Sequence, residues 1–182
     1  MDISLIMGPM RSGKSLELLR QAEKLHFSNK PYVLYRPKKD TRDFISRSFR
    51  PSLDLNIQYY DNENFSESKY DYILLDEFQF FEPEIINNIL ESNKTFVLCA
   101  LQSGTNNINE PYNVEVFRNV NRIIPFCSDI RLLTSICENC GSSCATHSYT
   151  DVITVSDDYK ILCNNCLDFK IRSNMILKRL KT

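Results

Sequence analysis

The chain has 182 residues, of which 42% are apolar, 25% charged and 11% aromatic, with no tryptophan and four glycines. That length supports one substantial core plus a small appendage but hardly two full domains, and the apolar content excludes disorder over most of the chain. A formal net charge of -1 excludes global attraction to nucleic acid or to an anionic membrane, so neither is expected as a partner.

The first predicted element is a strand over the apolar run Ile3 to Met7. This run is too short for the core of a signal peptide and lacks its basic flank, and no segment reaches the apolar length of a membrane span. Ser15 to Phe27 follows as a helix, with Leu16, Leu18, Leu19, Ala22 and Leu25 at helical spacing. Strands are predicted at Tyr32 to Arg36, Ile57 to Tyr60, Tyr72 to Asp76 and Thr95 to Leu101, and a helix with proline at its start at Pro83 to Leu90. This alternation produces a parallel sheet covered by helices.

Gln102 to Pro111 is polar and turn-prone, which predicts a loop whose length points to a functional role. Arg131 to Ile136 reads as a strand leading into the cysteine-rich stretch Cys137 to Cys166, and a short amphipathic helix ends the chain. Its basic run Lys178, Arg179, Lys181 reads as a solvated helix end. The expected division is a principal domain over 1–134 and a C-terminal lobe over 135–182. Seven cysteines without a secretory signal argue for reduced thiols, metal ligands or catalysis, and for a cytoplasmic protein.

Gly8-Pro9-Met10-Arg11-Ser12-Gly13-Lys14-Ser15 fits the P-loop pattern and lies between the first strand and the first helix. The glycines let successive N–H groups converge on phosphate oxygens, while the helix points the positive end of its dipole at them. Lys14 would neutralise the β- and γ-phosphates, and the Ser15 hydroxyl would bind the Mg2+ that accompanies ATP. The fourth strand, Tyr72-Ile73-Leu74-Leu75, ends in Asp76-Glu77. Asp76 is then expected near the magnesium, and Glu77 toward the bound substrate, where a carboxylate takes a proton from an attacking hydroxyl or water. Two solvated acids capping a strand are the alternative for this pair taken alone.

Cys137-Glu138-Asn139-Cys140 and Cys163-Asn164-Asn165-Cys166 are two pairs of the same spacing, separated by residues 141–162. Each pair aims two thiolates at one ion, and four sulfurs close a tetrahedron, which predicts a structural Zn2+ with no open position for chemistry; free buried cysteines or a redox pair are the alternatives. The metal would compensate for the small core of the lobe. Cys144 and His147 lie between the pairs but are left out of the shell, and Cys99 and Cys127 read as small core residues.

Taken together these residues resemble the type II thymidine kinases of cells and large DNA viruses over almost the whole chain. The phosphate loop is similar to that family's Gly-Pro-Met-Phe-Ser-Gly-Lys-Ser, Lys39-Asp40-Thr41-Arg42 to its Lys-Asp-Thr-Arg, and Asp76-Glu77-Phe78-Gln79-Phe80-Phe81 to its Asp-Glu-Gly-Gln-Phe-Phe. The resemblance implies a P-loop NTPase-like parallel sheet with a C-terminal zinc lobe carrying a lasso loop, and a homotetramer or dimer. It implies transfer of the γ-phosphoryl group of ATP to the 5′-hydroxyl of a deoxynucleoside, thymidine above all, for DNA precursor synthesis. Glu77 would be the general base. Arg42 would steady charge on the transferring group, its alternative being a surface residue in a charged loop. Met10, Phe80, Leu101, Thr146 and Tyr159 match positions lining the nucleoside site, although Met10, Phe80 and Leu101 are equally readable as core.

The chain departs from the family toward the nucleoside. The lasso's Leu-Asp-Gly-Thr-Phe-Gln stands here as Leu101-Gln102-Ser103-Gly104-Thr105-Asn106-Asn107, Arg50-Pro51-Ser52-Leu53 replaces a segment after the Lys-Asp-Thr-Arg run, and Ala145 stands for a phenylalanine. Other base specificity, an ATPase driving conformational change, and a nucleotide-sensing zinc protein are the competing readings.

Overall fold

A computed structural model of the chain describes residues 1–40, 45, 54–102, 104–105, 114–115, 117–149 and 159–169. In chain order the elements are β1 (Asp2–Gly8), α1 (Lys14–Phe27), β2 (Tyr32–Arg36), β3 (Ile57–Tyr59), β4 (Tyr72–Leu75), α2 (Ile85–Leu90), β5 (Thr95–Leu101), β6 (Gly104–Thr105), β7 (Val114–Glu115), α3 (Arg118–Ile123), β8 (Asp129–Leu132), β9 (His147–Tyr149) and β10 (Lys160–Leu162). Single 3-10 turns occur at Phe65–Glu67, Phe78–Phe80 and Ile124–Phe126, and residues 164–169 are helical.

The chain forms two compact units, each assembled from separate stretches of sequence. The first comprises Met1–Met7, Gly13–Ala100 and Arg118–Leu132 and is built on a sheet of order β3-β2-β4-β5-β1-β8. β2 pairs in parallel with β3 and β4, β4 with β5, and β1 with β8. Parallel neighbours need crossovers, supplied here by α1 between β1 and β2 and by α2 between β4 and β5. Covered on both faces, β2 is buried along its whole length, and Ile73, Leu74 and Leu75 of β4 are fully buried.

α1 packs Leu18, Leu19 and Ala22 into a core shared with Leu34, Leu74 and Cys99. Each buried leucine contributes roughly 1.5–3 kcal/mol, so this apolar face rather than helix propensity holds α1 in place. On an aromatic side of the core, Phe65 meets Tyr35, Tyr60 and Phe96 at ring-centroid distances of 6.2, 5.5 and 5.5 Å.

The second unit comprises Gly8–Ser12, Leu101–Phe117 and Leu133–Thr182. Its sheet runs β10-β9-β6-β7, antiparallel except for the parallel β6–β9 pair. Among the described residues its core is small: Cys137, Ala145, Ile161, Leu162, Cys163 and Leu167, with Met10 packed against it. So little apolar area is a weak basis for independent folding, which is the situation a structural metal relieves.

Three sequence expectations need correction. The strand expected at Arg131 to Ile136 lies at Asp129–Leu132, because its rail β1 ends at Gly8 and the register runs from Ser4↔Asp129 to Met7↔Leu132. Ser135 instead bridges to Ala145 in the second unit. The helix expected from Pro83 begins at Ile85, since Ile85 and Ile86 first donate to the carbonyls of Glu82 and Pro83 in i→i+3 turns. Within the expected loop from Gln102 to Pro111, Gly104–Thr105 forms β6, and residues 106–111 lie outside the described ones. The C-terminal helix is described only over 164–169, so the basic run beyond it is outside the described residues.

Candidate functional site

The loop Gly8–Ser15 begins where β1 ends. At Gly8 a Cβ would stand 2.7 Å from both the Leu133 carbonyl and the Ser12 Oγ, so only glycine fits. Gly13 is required for a different reason: its φ of 87° lies in the left-handed region. It is the N-cap of α1, and its carbonyl accepts the Glu17 N–H at 3.0 Å. The positive end of α1 is thereby presented at Lys14 and Ser15. Earlier in the loop Pro9 is buried, its carbonyl accepting the Ser12 hydroxyl at 2.9 Å.

In the first unit β5 lies between β1 and β4 in the sheet. The Ser15 hydroxyl donates to the Asp76 carboxylate at 3.3 Å. Asp76 is fully buried, Lys14 is 6% exposed and Glu77 8%. The Asp76 N–H prolongs the β4 ladder by donating to the Tyr35 carbonyl at 3.0 Å. Cys99 shares this neighbourhood: burial pushes its thiol well up, the Asp76 and Glu77 charges add to that, and Lys14 opposes it. It is a protonated core thiol, not a nucleophile.

Glu77 adopts φ 50° and ψ 46°, a left-handed conformation that costs a residue with a Cβ roughly 1 kcal/mol or more. The 3-10 turn Phe78–Phe80 starts from it, Phe80 N–H donating to the Glu77 carbonyl at 2.9 Å. Gln79 Nε2 donates to the Glu77 carboxylate at 2.6 Å, so the strained backbone and a buried amide together fix the direction of this acid. α3 supports the turn from behind, with Asn119 Nδ2 donating to the Phe81 carbonyl at 2.7 Å.

Sequence reasoning passed over Arg36. It is buried with Asp40, Nη2 and Oδ2 lying 2.9 Å apart, and its guanidinium stacks over the Tyr59 ring at 5.4 Å. The pair holds the Asp40 end of the Lys39-Asp40-Thr41-Arg42 segment, while Lys39 reaches Glu82 at 2.8 Å. Arg42 itself lies outside the described residues. A basic residue four places before the aspartate was the available signal.

In the second unit Cys137, Cys140, Cys163 and Cys166 bring their sulfurs within 4.8 Å of one another, with Cys140 and Cys163 at 3.7 Å. Four thiolates bound to zinc at about 2.3 Å stand about 3.8 Å apart, so this donor set fits a tetrahedral Zn2+. Burial alone would push the Cys137 thiol up, but N–H groups of Cys163, Cys140 and Asn139 outweigh it and bring it down to about 6. At Cys140 the Ser142 N–H favours the thiolate, yet the three neighbouring sulfurs dominate and push it up to about 12. A dication relieves that mutual repulsion.

Of the residues expected to line a nucleoside, Met10, Leu101, Thr146 and Tyr159 belong to the second unit and Phe80 to the first. Leu101 is buried; Met10, Phe80, Thr146 and Tyr159 are half-buried. Thr146 Oγ1 donates to Asn164 Oδ1 at 3.4 Å, and His147 Nε2 lies 2.6 Å from the same oxygen. Ser148 was missed: it is 2% exposed, and its Oγ accepts the Met10 N–H at 2.8 Å. A period of two from Thr146 leads to it.

A family model described as thymidine kinase matches residues 1–167. The chain is 30% identical over 181 residues to a thymidine kinase of Ureaplasma parvum, covering 92% of this chain and 78% of that protein. It is 32% identical over 171 residues to thymidine kinase 1 of Dictyostelium discoideum, covering 88% and 70%. To a thymidine kinase of Amsacta moorei entomopoxvirus it is 28% identical over 184 residues, covering 91% and 97%.

Proposed function

The chain belongs to the thymidine kinase family, and from that premise we propose how its own residues carry out the ATP-dependent phosphorylation of thymidine to dTMP. The observation that carries the proposal is the cluster at the start of α1 and the end of β4, where Ser15 bonds Asp76 and Gln79 steers Glu77.

The loop Gly8, Pro9, Met10, Arg11, Ser12, Gly13, Lys14 and Ser15 wraps the triphosphate, its N–H groups and Lys14 meeting the β- and γ-phosphate oxygens. Ser15 and Asp76 offer a hydroxyl and a carboxylate oxygen, the hard donors that Mg2+ takes. Mg2+ held there would supply positive charge to offset the negative charge of the phosphates during transfer. Glu77 accepts the proton of the thymidine 5′-hydroxyl as that oxygen bonds to the γ-phosphorus, and the bond to the bridging oxygen breaks to release ADP. Arg42 steadies charge on the transferring group. Met10, Phe80, Leu101, Thr146 and Tyr159 hold the nucleoside.

On this reading residues 1–134 carry phosphoryl transfer, and residues 135–182 form a lobe whose structural zinc sits on Cys137, Cys140, Cys163 and Cys166. The edge strand β8 exposes Ile130 and Leu132 at 43% and 51%, which supports a homo-oligomer that a sizing measurement would reveal. No described helix is long and apolar enough to cross a membrane; with a net charge of -1, this supports a cytoplasmic enzyme without a nucleic-acid or membrane partner.

A second reading, the same chemistry on another base, is favoured by the Leu101–Asn107 stretch, which lacks the acid and aromatic of the family pattern. Incubation with ATP, magnesium and each of the four deoxynucleosides separates the two. Thymidine as best substrate supports the first reading, another nucleoside the second, and phosphorylation of none would refute both.

A further inference from the structure

We infer that the four-cysteine lobe positions the phosphate loop directly through Met10 and Arg11, so that metal occupancy and nucleotide affinity are coupled. The inference rests on the reading of Gly8–Ser15 as a phosphate cradle and adds a second determinant to it.

Gly8–Ser12, the first part of the cradle, is packed in the same compact unit as the cysteines. Gly8 abuts the Leu133 carbonyl too closely to admit a Cβ. Met10 donates its N–H to the buried Ser148 Oγ at 2.8 Å. Its side chain lies against the core that contains Cys137 and Cys163. The Arg11 carbonyl accepts the Ser135 hydroxyl at 3.3 Å, and the Arg11 guanidinium meets Glu138 Oε1 at 2.6 Å. Arg11 holds these contacts with φ 57°, a left-handed conformation that its surroundings must impose.

Glu138 connects this set to the metal. It follows Cys137 in the first cysteine pair, and its backbone N–H donates to the Ile161 carbonyl at 2.9 Å, two residues before Cys163. Its second carboxylate oxygen accepts the Ile161 N–H at 3.4 Å. Closing the two cysteine pairs on one ion therefore fixes Glu138, and Glu138 fixes Arg11. Arg11 stands where the family pattern has phenylalanine, so the ion pair is not part of the P-loop motif itself.

Loop N–H groups held before the nucleotide arrives need no ordering when it binds, so a closed lobe raises affinity. Reciprocity then requires nucleotide to raise the lobe's affinity for zinc by the same factor. Arg11 and Glu138 are positioning residues in this scheme, and because both are partly exposed their pair is expected to account for only a small factor.

The test is an equilibrium competition for zinc between the full-length protein and a chelator, with and without saturating Mg-ADP, alongside ADP titrations of the same samples. In the wild type, ADP should tighten zinc binding by roughly five-fold or more. Arg11→Met and Glu138→Gln should each weaken ADP binding by about two- to five-fold and shrink the ADP effect on zinc by the same factor. The exchanged pair Arg11→Glu with Glu138→Arg should recover part of both. Ser148→Ala, which strips the acceptor from the Met10 N–H, is a second probe with a larger expected loss, about ten-fold.

Zinc affinity indifferent to ADP in the wild type would overturn the coupling, as would Arg11→Met and Ser148→Ala proteins that keep the ADP effect in full. If ADP fails to bind the wild type at all, the cradle reading falls and takes the coupling with it. ADP binding without any change in zinc affinity removes the coupling alone.

Discussion

The Gln79 side-chain amide donates to the Glu77 carboxylate at 2.6 Å, and both side chains are buried. The bond spans the first residues of the 3-10 turn that Glu77 opens from a left-handed backbone. Gln79 thereby orients the acid proposed for proton removal. Gln79→Leu is expected to lower kcat by roughly 10- to 100-fold through misplacement of that acid, with ADP affinity kept. Stopped-flow turnover and an ADP titration check it; an unchanged kcat would remove Gln79 from the account.

Glu77→Gln removes the carboxylate proposed as the base but keeps the size of the side chain. Turnover should fall by about 10²- to 10⁴-fold while ADP binding stays within roughly two-fold, since the phosphate cradle is untouched. Wild-type turnover in this variant would contradict the assigned role.

Stripping the metal with a chelator should open the second unit and spare the first. Among the described residues the core around Cys137, Ala145 and Ile161 is small, the kind of core that a bound metal holds together. Hydrogen exchange is expected to show lost protection in β9 and β10 and retained protection in β2, β4 and β5. Metal analysis beforehand should find about one zinc per chain. Full protection of β9 and β10 without metal would show that the cysteines are not a structural site.

Tyr35 gives a pH dependence. Burial, assisted by Glu63 and the neighbouring tyrosines, pushes its hydroxyl up to about 12 from 10.0. The unfolded chain therefore releases this proton first, so stability is intact below pH 10 and falls between about 10 and about 12. The size is at most ~3 kcal/mol for this group. Denaturant midpoints across that range should fall less steeply in Tyr35→Phe, and parallel curves would mean that Tyr35 contributes nothing.

Much of the local structure around Gly8 to Ser15 and Asp76 was legible because chain-local rules dictate it. The Gly8 to Ser15 motif follows an apolar run, Leu18, Leu19 and Ala22 repeat at helical spacing, and Asp76 and Glu77 close an apolar strand. Contacts between distant segments were not legible. β6 and β7 are two residues each, too short for a period of two to register, so the second sheet had no sequence signal. α3 was missed because six residues with only Val120 and Ile123 buried among its apolar positions give a weak helical pattern. Ser148 and Glu138 are ordinary polar residues until Met10 and Arg11 are seen beside them. Arg36 and Asp40 stand at the spacing of a helical ion pair, yet Arg36 ends a strand, and only burial makes the pair notable.

The most direct measurement is product stoichiometry: ADP and dTMP quantified together after incubation with Mg-ATP, in the presence and absence of thymidine. The account predicts that ADP release depends on thymidine and that dTMP appears in equal amount. ADP formed at the same rate without thymidine, with no dTMP, would make the protein an ATPase and contradict it.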